Sequence, residues 1–251
     1  IPRTSFNAAI GPHRNWAFGT VPLATVKAIR RQTEATVNDI VMALCAAAMR
    51  RWLMDHDELP KGPLYAAVPV SIRAADQANA MGNQVSGLMS PLPTHVADPL
   101  RRVAEVAAAM KSAKDVHNAL PARLLQEFSQ FTAPAAAEWA ARIAAYPQFA
   151  AQLRLPFNLV ISNVPGPRET LYFAGAEVLA NYPVSMISDG MGLNITLQSY
   201  RDNIDFGLIS TPELMPDLWN LIGYLGEALA ELEHAALRGR GSAENLAGTA
   251  T

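Results

Sequence analysis

The apolar and polar positions of the chain follow helical spacing in two long stretches. The four residues from Thr36 to Asp39 (Thr-Val-Asn-Asp) have the form of a capping box with Asp in the place of Glu, which predicts a helix N-terminus. Ile40 to Met54 follows and is apolar on nearly every face, as in a helix buried between two layers. Near the end of the chain, a stripe of leucines predicts a final helix that begins at about Asp217 and buries one side.

Short runs of β-favouring residues predict the strands of a sheet. They are Trp16 to Leu23, Leu64 to Val70, Gln84 to Met89, Phe157 to Ile161, Leu193 to Leu197 and Ile204 to Ile209. The last two runs form a hairpin with Arg201-Asp202-Asn203 at its turn. Pro69 should lie at an edge or an end of its strand, because proline cannot donate to the ladder. Strands mixed with helices, with a hairpin late in the chain, predict one α/β domain with a mixed sheet.

Further helical segments and two irregular segments complete the pattern. Helices are predicted over Pro22 to Arg30 and from Asp98-Pro99 onward, because proline suits the first helical turn. The alanine-rich residues 119–153 predict a pair of helices broken by prolines. Residues 177–187 are expected to be extended or irregular. The Gly-, Ser- and Asn-containing residues after Leu237 are expected to be weakly ordered.

The composition indicates extensive buried or lipid-facing surface. Half of the residues are apolar and only 17% are charged, against about 25% in an average soluble domain. No apolar run approaches the roughly 20 residues of a membrane span. A net charge of −2 gives no reason to expect nucleic acid as a ligand. The single cysteine, Cys45, excludes an internal disulfide and favours the reducing cytoplasm, and its apolar neighbours predict a buried, inert thiol.

No familiar catalytic or cofactor motif occurs in the sequence. The histidines are not paired at metal-ligand spacing and Cys45 stands alone, so we expect no metal site. A Walker loop, a Gly-x-Gly-x-x-Gly motif and a Gly-x-Ser-x-Gly elbow are all absent. The histidines, each expected at the surface or in a structural role, are His13, His56, His95, His117 and His234.

Two polar segments remain as candidates for a site. Asn38 and Asp39 stand at the start of a buried helix, where they either cap the helix and stabilise its dipole or orient groups in an active-site channel. The six residues from Ser162 to Pro167 follow a strand and form either a tight loop or a loop that crosses to another domain or lines a tunnel, with Asn163 as a polar contact. Composition and spacing leave both alternatives open.

Taken together, these segments resemble the wax ester synthase/diacylglycerol acyltransferase family. The residues from Thr36 to Leu44 resemble the family's Asn-Asp motif, and Ser162 to Pro167 resembles its later Ser-Asn-Val-Pro-Gly-Pro loop. Further resemblances, in the family's order, are found at Phe6 to Arg14, Leu64 to Arg73, Gly192 to Ile195 and Tyr200 to Gly207. The likeness covers nearly all of residues 4–235.

The resemblance implies a chloramphenicol acetyltransferase-like α/β lobe, with a mixed β-sheet flanked by helices, as one of two related lobes around a tunnel. Residues 1–15 then form the lobe-crossing linker, 16–237 the C-terminal acyltransferase lobe and 238–251 a weakly ordered tail. In this family a His-His-x-x-x-Asp-Gly motif on the N-terminal lobe supplies the general base that deprotonates an alcohol. That motif does not occur in this sequence. The resemblance therefore implies a catalytic lobe outside this chain, no catalytic residue within it, and an inactive chain when it is alone.

The resemblance also implies the reaction and its partners. A fatty acyl group moves from acyl-CoA, a substrate, to diacylglycerol or a long-chain alcohol, with no cofactor and no metal. The expected partners are the N-terminal lobe and these substrates, in the cytoplasm, with peripheral attachment to the inner membrane or to lipid inclusions. The expected site residues are Asn38 and Asp39 as supporting groups and Ser162, Asn163, Pro165 and Gly166 as tunnel-lining groups.

Two other functions are compatible with the sequence. One is a condensation-type or polyketide-associated acyltransferase of the same architecture, which takes its acyl group from a carrier protein. The other is a non-catalytic lobe that binds lipid. The first differs from the acyl-CoA enzyme in its donor, and the second would lack the histidine motif in the whole reading frame.

Overall fold

The structure, a computed structural model, describes residues 1–71, 85–119 and 155–248. The helices are α1 (Leu23–Gln32), α2 (Val37–Asp55), α3 (Pro99–Ala119) and α4 (Asn220–Gly248). The strands are β1 (Asn15–Pro22), β2 (Leu64–Ser71), β3 (Val85–Leu92), β4 (Leu159–Val164), β5 (Tyr172–Phe173), β6 (Ala176–Glu177), β7 (Asn194–Tyr200) and β8 (Asn203–Ser210). The helical pair predicted over 119–153 lies, from residue 120 onward, outside the described residues.

Six of these strands form one mixed sheet in the order β1-β8-β7-β4-β2-β3. Strand β4 runs parallel to both of its neighbours, β2 and β7, and the other pairs are antiparallel. Strands β5 and β6 form a separate two-stranded hairpin. Strand β1 pairs with β8 over its whole length, so the N-terminal strand is an integral part of the sheet. The predicted mixed sheet is confirmed.

Helix α2 is the centre of the core, as its sequence predicts. Thr36 and Asp39 form a reciprocal capping box, and every residue from Ile40 to Met49 is buried. The helix contacts α1, α3 and α4, and all four helices pack on one face of the sheet. Burial of each large aliphatic side chain stabilises the fold by about 1.5–3 kcal/mol. A helix with packed neighbours on every side needs the apolar residues on all faces that the sequence shows.

Proline 69 lies where β2 has a neighbour on one side only. Strand β3 pairs with β2 along its length and places Gly87 opposite Pro69. On the other side, β4 pairs only with Ala66 and Ala67. No residue of β4 lies opposite Pro69, so the missing N–H of proline does not deprive a β4 carbonyl of a hydrogen bond. This agrees with the expected position at an edge or an end of the strand.

Several element boundaries differ from the predicted ones by a few residues. Pro22 ends β1 and is the N-cap residue of α1 rather than its first helical residue. Helix α4 begins at Asn220, because residues 217–219 form tight turns in which the Asn220 amide donates to the Asp217 carbonyl. Strand β7 extends to Tyr200, so the hairpin turn shrinks to two residues, with Arg201 at a φ of 52°. Helix α4 keeps a helical backbone through Gly248, past the lobe end predicted at residue 237.

The first 14 residues have no helix or strand, yet they pack onto the lobe. Phe6 is fully buried and meets Trp52 edge-to-face at 5.9 Å between ring centroids. The Asn7 side-chain amide donates to the carbonyls of Asn158 and Gly190. The segment expected to be a lobe-crossing linker is thus anchored, at its start, to this lobe.

Candidate functional site

The two polar segments singled out in the sequence meet in the structure. The Asn163 Nδ2 atom donates to Oδ1 of Asn38 at 3.0 Å, across 125 positions of sequence. Leu159 and Ile161 of β4 are buried in the core against the helices. Because side chains alternate along a strand, Asn163 points to the same helical side and reaches the first turn of α2.

Asp39 is occupied by the helix cap. Its Oδ2 atom accepts from the Thr36 amide and from the Thr36 hydroxyl, both at 2.8 Å, and the Thr36 Oγ1 accepts from the Asp39 amide at 3.2 Å. The carboxylate is buried, with 5% of the residue exposed. The capping alternative therefore describes Asp39, while the neighbouring Asn38 directs its amide group to the other motif. The two residues of one motif have different structural roles.

Strand β4 extends to Val164, past the strand end predicted at Ile161, so only the last three residues of the Ser162–Pro167 segment form a loop. This loop is fixed against the β7–β8 hairpin. The Gly166 amide donates to Ser199 Oγ at 3.0 Å, and the Arg201 amide donates to the Pro167 carbonyl at 3.1 Å. A Cβ atom on Gly166 would overlap the Ser199 carbonyl oxygen, so only glycine fits this close approach. This segment is thus held tightly in place, and its end forms part of a cavity wall.

A cavity of about 310 Å³ lies beside this contact. It is lined by Asn163, Pro165 and Gly166, three of the four expected tunnel residues. Ser162 does not line it, because Ser162 lies opposite Thr196 in the β4–β7 register and alternation places it on the other face of the sheet. The structure therefore separates Ser162 from the other three.

A second, larger cavity of about 820 Å³ lies on the other side of the α2 N-terminus. Thr36 and Asp39 form one end of it, and half-buried residues of α3 such as Leu100 and Ala107 form an apolar wall. The sequence predicts a helix from Asp98-Pro99 onward but gives no sign of this cavity, because the cavity depends on the gap between α3 and the α1–α2 turn.

The sheet face opposite the helices is crossed by residues 181–186. The Asn181 amide donates to Asp205 Oδ2 at 2.8 Å, and the Ser185 and Thr196 hydroxyls lie 2.7 Å apart. The Pro183 carbonyl lies where a Cβ on Gly207 would be, so this crossing also requires glycine. Outward from this crossing and from the β5–β6 hairpin, large apolar side chains are exposed: Leu171, Tyr172, Phe173, Leu179, Val184 and Met186.

The side chains of His56 and Cys45 are packed or bonded within the fold. The His56 ring stacks on Trp52 at 3.9 Å, its Nδ1 lies 2.7 Å from the Trp52 carbonyl and its Nε2 lies 3.5 Å from Asp217. Burial raises the pKa of the Cys45 thiol to about 12, which confirms the predicted inert thiol. Over residues 1–71, 85–119 and 155–248, no three His, Cys, Asp or Glu side chains are placed to hold a metal ion. No helix in these ranges has the length and apolarity needed to cross a membrane.

Comparison with known proteins places this arrangement in a family. The family model described as the WS/DGAT C-terminal domain matches residues 81–233, and the model described as the wax ester synthase/diacylglycerol acyltransferase catalytic domain matches residues 1–41. The residues matched by the second model include β1, which pairs with β8 of the C-terminal region. The division between the two family models therefore does not coincide with a division of the sheet.

Similar full-length proteins are about twice as long as this chain. A Mycobacterium tuberculosis protein named as a diacylglycerol O-acyltransferase is 40% identical over 235 residues, which is 93% of this chain and 51% of that protein. A second protein of that organism, also named as a diacylglycerol O-acyltransferase, is 39% identical over 93% of this chain and 50% of its own length. The chain thus spans about half the length of the curated relatives it matches.

The fold resembles that of a solved enzyme of the same kind. The wax ester synthase/diacylglycerol acyltransferase from Marinobacter aquaeolei VT8 matches with a TM-score of 0.75 and 35% identity, over 94% of this chain and 52% of that one. This match confirms the predicted chloramphenicol acetyltransferase-like lobe. The condensation domain of the monacolin K polyketide synthase MokA matches with a TM-score of 0.55 and 11% identity, over 94% of this chain and 48% of that one, which shows a shared fold alone.

Proposed function

This chain belongs to the wax ester synthase/diacylglycerol acyltransferase family, and we propose that it supplies one lobe of an O-acyltransferase. The proposed enzyme moves a fatty acyl group from acyl-CoA to diacylglycerol or to a long-chain alcohol. The relatives named as diacylglycerol O-acyltransferases support the first acceptor, and the similarity to the Marinobacter enzyme supports both. The chain's own contribution is to bind and position substrate beside the α2 N-terminus.

The hydrogen bond between Asn163 and Asn38 carries this proposal. It joins the two segments that resemble the family's motifs, at the wall of the 310 Å³ cavity. Each amide is half-buried, so each needs a partner when water is excluded by a bound substrate. We infer that the pair holds the loop at Pro165 and Gly166 in the shape that the substrate meets.

The chemistry requires a base that this chain does not supply. An alcohol oxygen attacks the thioester carbonyl, the new C–O bond forms, the C–S bond breaks, and the alcohol proton ends on the sulfur of CoA. Neither Asn38 nor Asn163 can accept that proton, and the Asp39 carboxylate is engaged by its cap. We propose that the base is a histidine of the part of the relatives that this chain does not span, and that the reaction needs neither metal nor cofactor.

The partner lobe is proposed to cover the sheet face opposite the helices. Six large apolar side chains between residues 171 and 186 are exposed there, and an apolar area of this kind usually marks an interface. In this arrangement the apolar face of residues 171–186 is buried between the two lobes. We also propose peripheral attachment of the whole enzyme to the inner membrane or to lipid inclusions, where its acceptors are found.

The experiment that tests the function is an acyl-transfer assay on the full-length protein. Palmitoyl-CoA is supplied with dioleoylglycerol or hexadecanol, and in parallel the acyl group is supplied on a carrier protein. Ester formed from palmitoyl-CoA supports the proposal. Ester formed only from the carrier protein would indicate a condensation-type enzyme instead. Absence of ester with both donors would favour a non-catalytic lobe that binds lipid.

Variants of the α2 N-terminus then test the role of this chain. We expect Asn38→Ala to lower kcat/KM at least tenfold, because the loop loses its anchor. Thr36→Ala is the matched control, because it removes the helix cap, worth about 0.5–2 kcal/mol, without touching the Asn38–Asn163 bond. Equal activity losses in the two variants would mean that the Asn38-Asp39 motif serves only to cap α2.

A further inference from the structure

The cavity beside Asn163 has a cationic lining. Lys27 of α1, Arg168 after the Ser162–Pro167 loop and Arg201 of the β7–β8 turn all line it, and no carboxylate does so among the described residues. Arg201 is paired with Glu177, with Nη1 at 2.6 Å from Oε1. Lys27 and Arg168 form no ion pair with any residue in the described ranges. The cavity therefore carries excess positive charge.

Two helices also begin at this cavity. Leu23, the first residue of α1, and Val37, the first residue of α2, both line it. A helix N-terminus carries a partial positive charge and N–H groups without intrahelical partners. Thr36 caps α2, and at the start of α1 the Leu23 amide donates to the Asp202 carbonyl at 2.9 Å. The partial positive charge of the two helix N-termini adds to the field of the three cations.

A cavity lined by arginines elsewhere in the fold has different surroundings. It measures about 410 Å³ and contains Arg50 and Arg102 together with Glu227 and Glu231. The guanidinium of Arg50 donates to the Thr94 and His95 carbonyls, and that of Arg102 donates to the Val96 and Ala97 carbonyls. These arginines hold the 94–97 turn in place and face carboxylates, so they leave no site for an anion.

We propose that the cavity lined by Lys27, Arg168 and Arg201 binds a phosphate group of a substrate. Arginine offers a planar fork of donors to phosphate oxygens, lysine offers a mobile point charge, and the helix N-termini add partial positive charge. A volume of about 310 Å³ is at the small end for ligand pockets, and it suits a phosphate with part of its attached group rather than a whole acyl chain.

Two ligands can supply this phosphate. Acyl-CoA carries a 3′-phosphate and a diphosphate on its adenosine, and assignment of the cavity to these groups rests on the proposed function. A lipid with a phosphomonoester headgroup carries the same chemistry. The Ser162–Pro167 loop belongs to the cavity wall, so a phosphate anchored here lies next to the Asn38–Asn163 pair in either case.

The test compares a double variant with a charge-matched control in the full-length protein. Lys27→Ala with Arg168→Ala removes two cavity cations, and Lys61→Ala with Arg101→Ala removes two exposed cations that do not line the cavity. Binding of adenosine 3′,5′-bisphosphate is measured by calorimetry. Binding to phosphatidylcholine vesicles that contain phosphatidic acid is measured by sedimentation. In the transfer assay, KM is measured for palmitoyl-CoA and for palmitoyl-pantetheine, which has no phosphate.

Each outcome has a definite meaning. We expect the cavity variant to bind the bisphosphate at least tenfold more weakly and to raise KM about tenfold for palmitoyl-CoA but less than twofold for palmitoyl-pantetheine. A loss confined to phosphatidic acid vesicles also supports a phosphate site and assigns it to lipid. Unchanged binding of both probes overturns the phosphate site even if acyl transfer is normal. If no acyl transfer occurs but the bisphosphate binds more weakly to the cavity variant than to the wild type, the proposed function is wrong and the phosphate site is supported.

Discussion

At the scale of single residues, the adjacent side chains of Asn38 and Asp39 form hydrogen bonds with different parts of the structure. Asp39 satisfies the start of α2 through three hydrogen bonds with Thr36, whereas Asn38 turns its amide to Asn163 on β4. A helix first turn presents successive side chains about 100° apart, so adjacent residues face different surroundings. We therefore expect the functional role of the motif to rest on Asn38, while Asp39 fixes the backbone from which Asn38 extends.

The Asn38–Asn163 bond is expected to show energetic coupling. Asn38→Ala, Asn163→Ala and the double variant form a double-mutant cycle, measured by urea unfolding of this chain. A neutral hydrogen bond between half-buried groups contributes about 0.5–1.5 kcal/mol, so the double variant should lose that much less than the sum of the single losses. Additive losses would mean that the two amides do not stabilise one another in solution.

Cys45 is expected to resist alkylation in the native protein. Its thiol is fully buried and its pKa is raised to about 12, so only about one thiol in ten thousand is ionised at pH 8. Iodoacetamide labelling followed by mass spectrometry should show no adduct in buffer and complete reaction in guanidinium chloride. Rapid labelling of the native protein would contradict the burial of this residue.

The same pKa makes a prediction for stability at high pH. The unfolded thiol ionises near its ordinary pKa of about 9, while the folded thiol keeps its proton until about pH 12. The unfolded state then binds fewer protons, so the free energy of unfolding should fall between these two pH values. The Cys45→Ala variant should lack this part of the decline.

At the scale of elements, the strand ends and loops decide the shape of the site. Strand β4 lies between two parallel neighbours, and beyond its last residue, Val164, the chain forms a short loop against the β7–β8 hairpin. Alternation along this one strand sends Asn163 to the helices and Ser162 to the opposite face. The 310 Å³ cavity exists because this loop, the hairpin turn and the starts of α1 and α2 converge.

Gly166 is expected to be the least replaceable residue of the loop. In Gly166→Ala the added methyl group overlaps the Ser199 carbonyl, so the loop or the hairpin must shift, at a cost of about 1–3 kcal/mol in the free energy of unfolding. Gly62→Ala is the control, because nothing lies within 4 Å of its added carbon. Urea unfolding should place the control within about 0.5 kcal/mol of the wild type. Similar urea midpoints for both variants would show that the loop accommodates the added methyl group without loss of stability.

At the scale of the whole molecule, the lobe has two unlike faces. The helices cover one face of the sheet, and residues 181–186 cross the other, held by Asp205 and Thr196. The crossing segment and the β5–β6 hairpin present apolar side chains outward, with Phe173 and Met186 each 79% exposed. Such a surface fits the observation that the relatives are about twice as long as the chain.

Phe173 should matter only when the proposed partner lobe is present. In this chain alone, Phe173→Ser should change the free energy of unfolding by less than about 0.5 kcal/mol, because the side chain is already exposed. In the full-length protein it should lower Tm by several degrees, because burial of a phenylalanine contributes about 1.5–3 kcal/mol. Leu237→Ser, a change at an exposed leucine of α4, serves as the control that leaves Tm unchanged in both. A small effect of Phe173→Ser in the full-length protein would place the lobe interface elsewhere.

The sequence by itself determined the features that depend on neighbouring residues. The Thr36–Asp39 box and the apolar run after it specified α2, and alternating residues on both sides of a short polar turn specified the β7–β8 hairpin. The buried state of Cys45 followed from its apolar neighbours. The order of the polar segments along the chain also carried the family resemblance.

Only the tertiary structure decided which distant segments meet. No local pattern places β1 beside β8 or brings Asn163 to Asn38 across 125 positions. Lys27 and Arg201 gave no signal as members of one cavity, because a charged residue in a helix or turn looks the same in sequence whether it faces a ligand or water. Local propensity acts over a few residues, whereas a cavity is set by the packing of helices against a sheet, and that packing is a property of the whole chain.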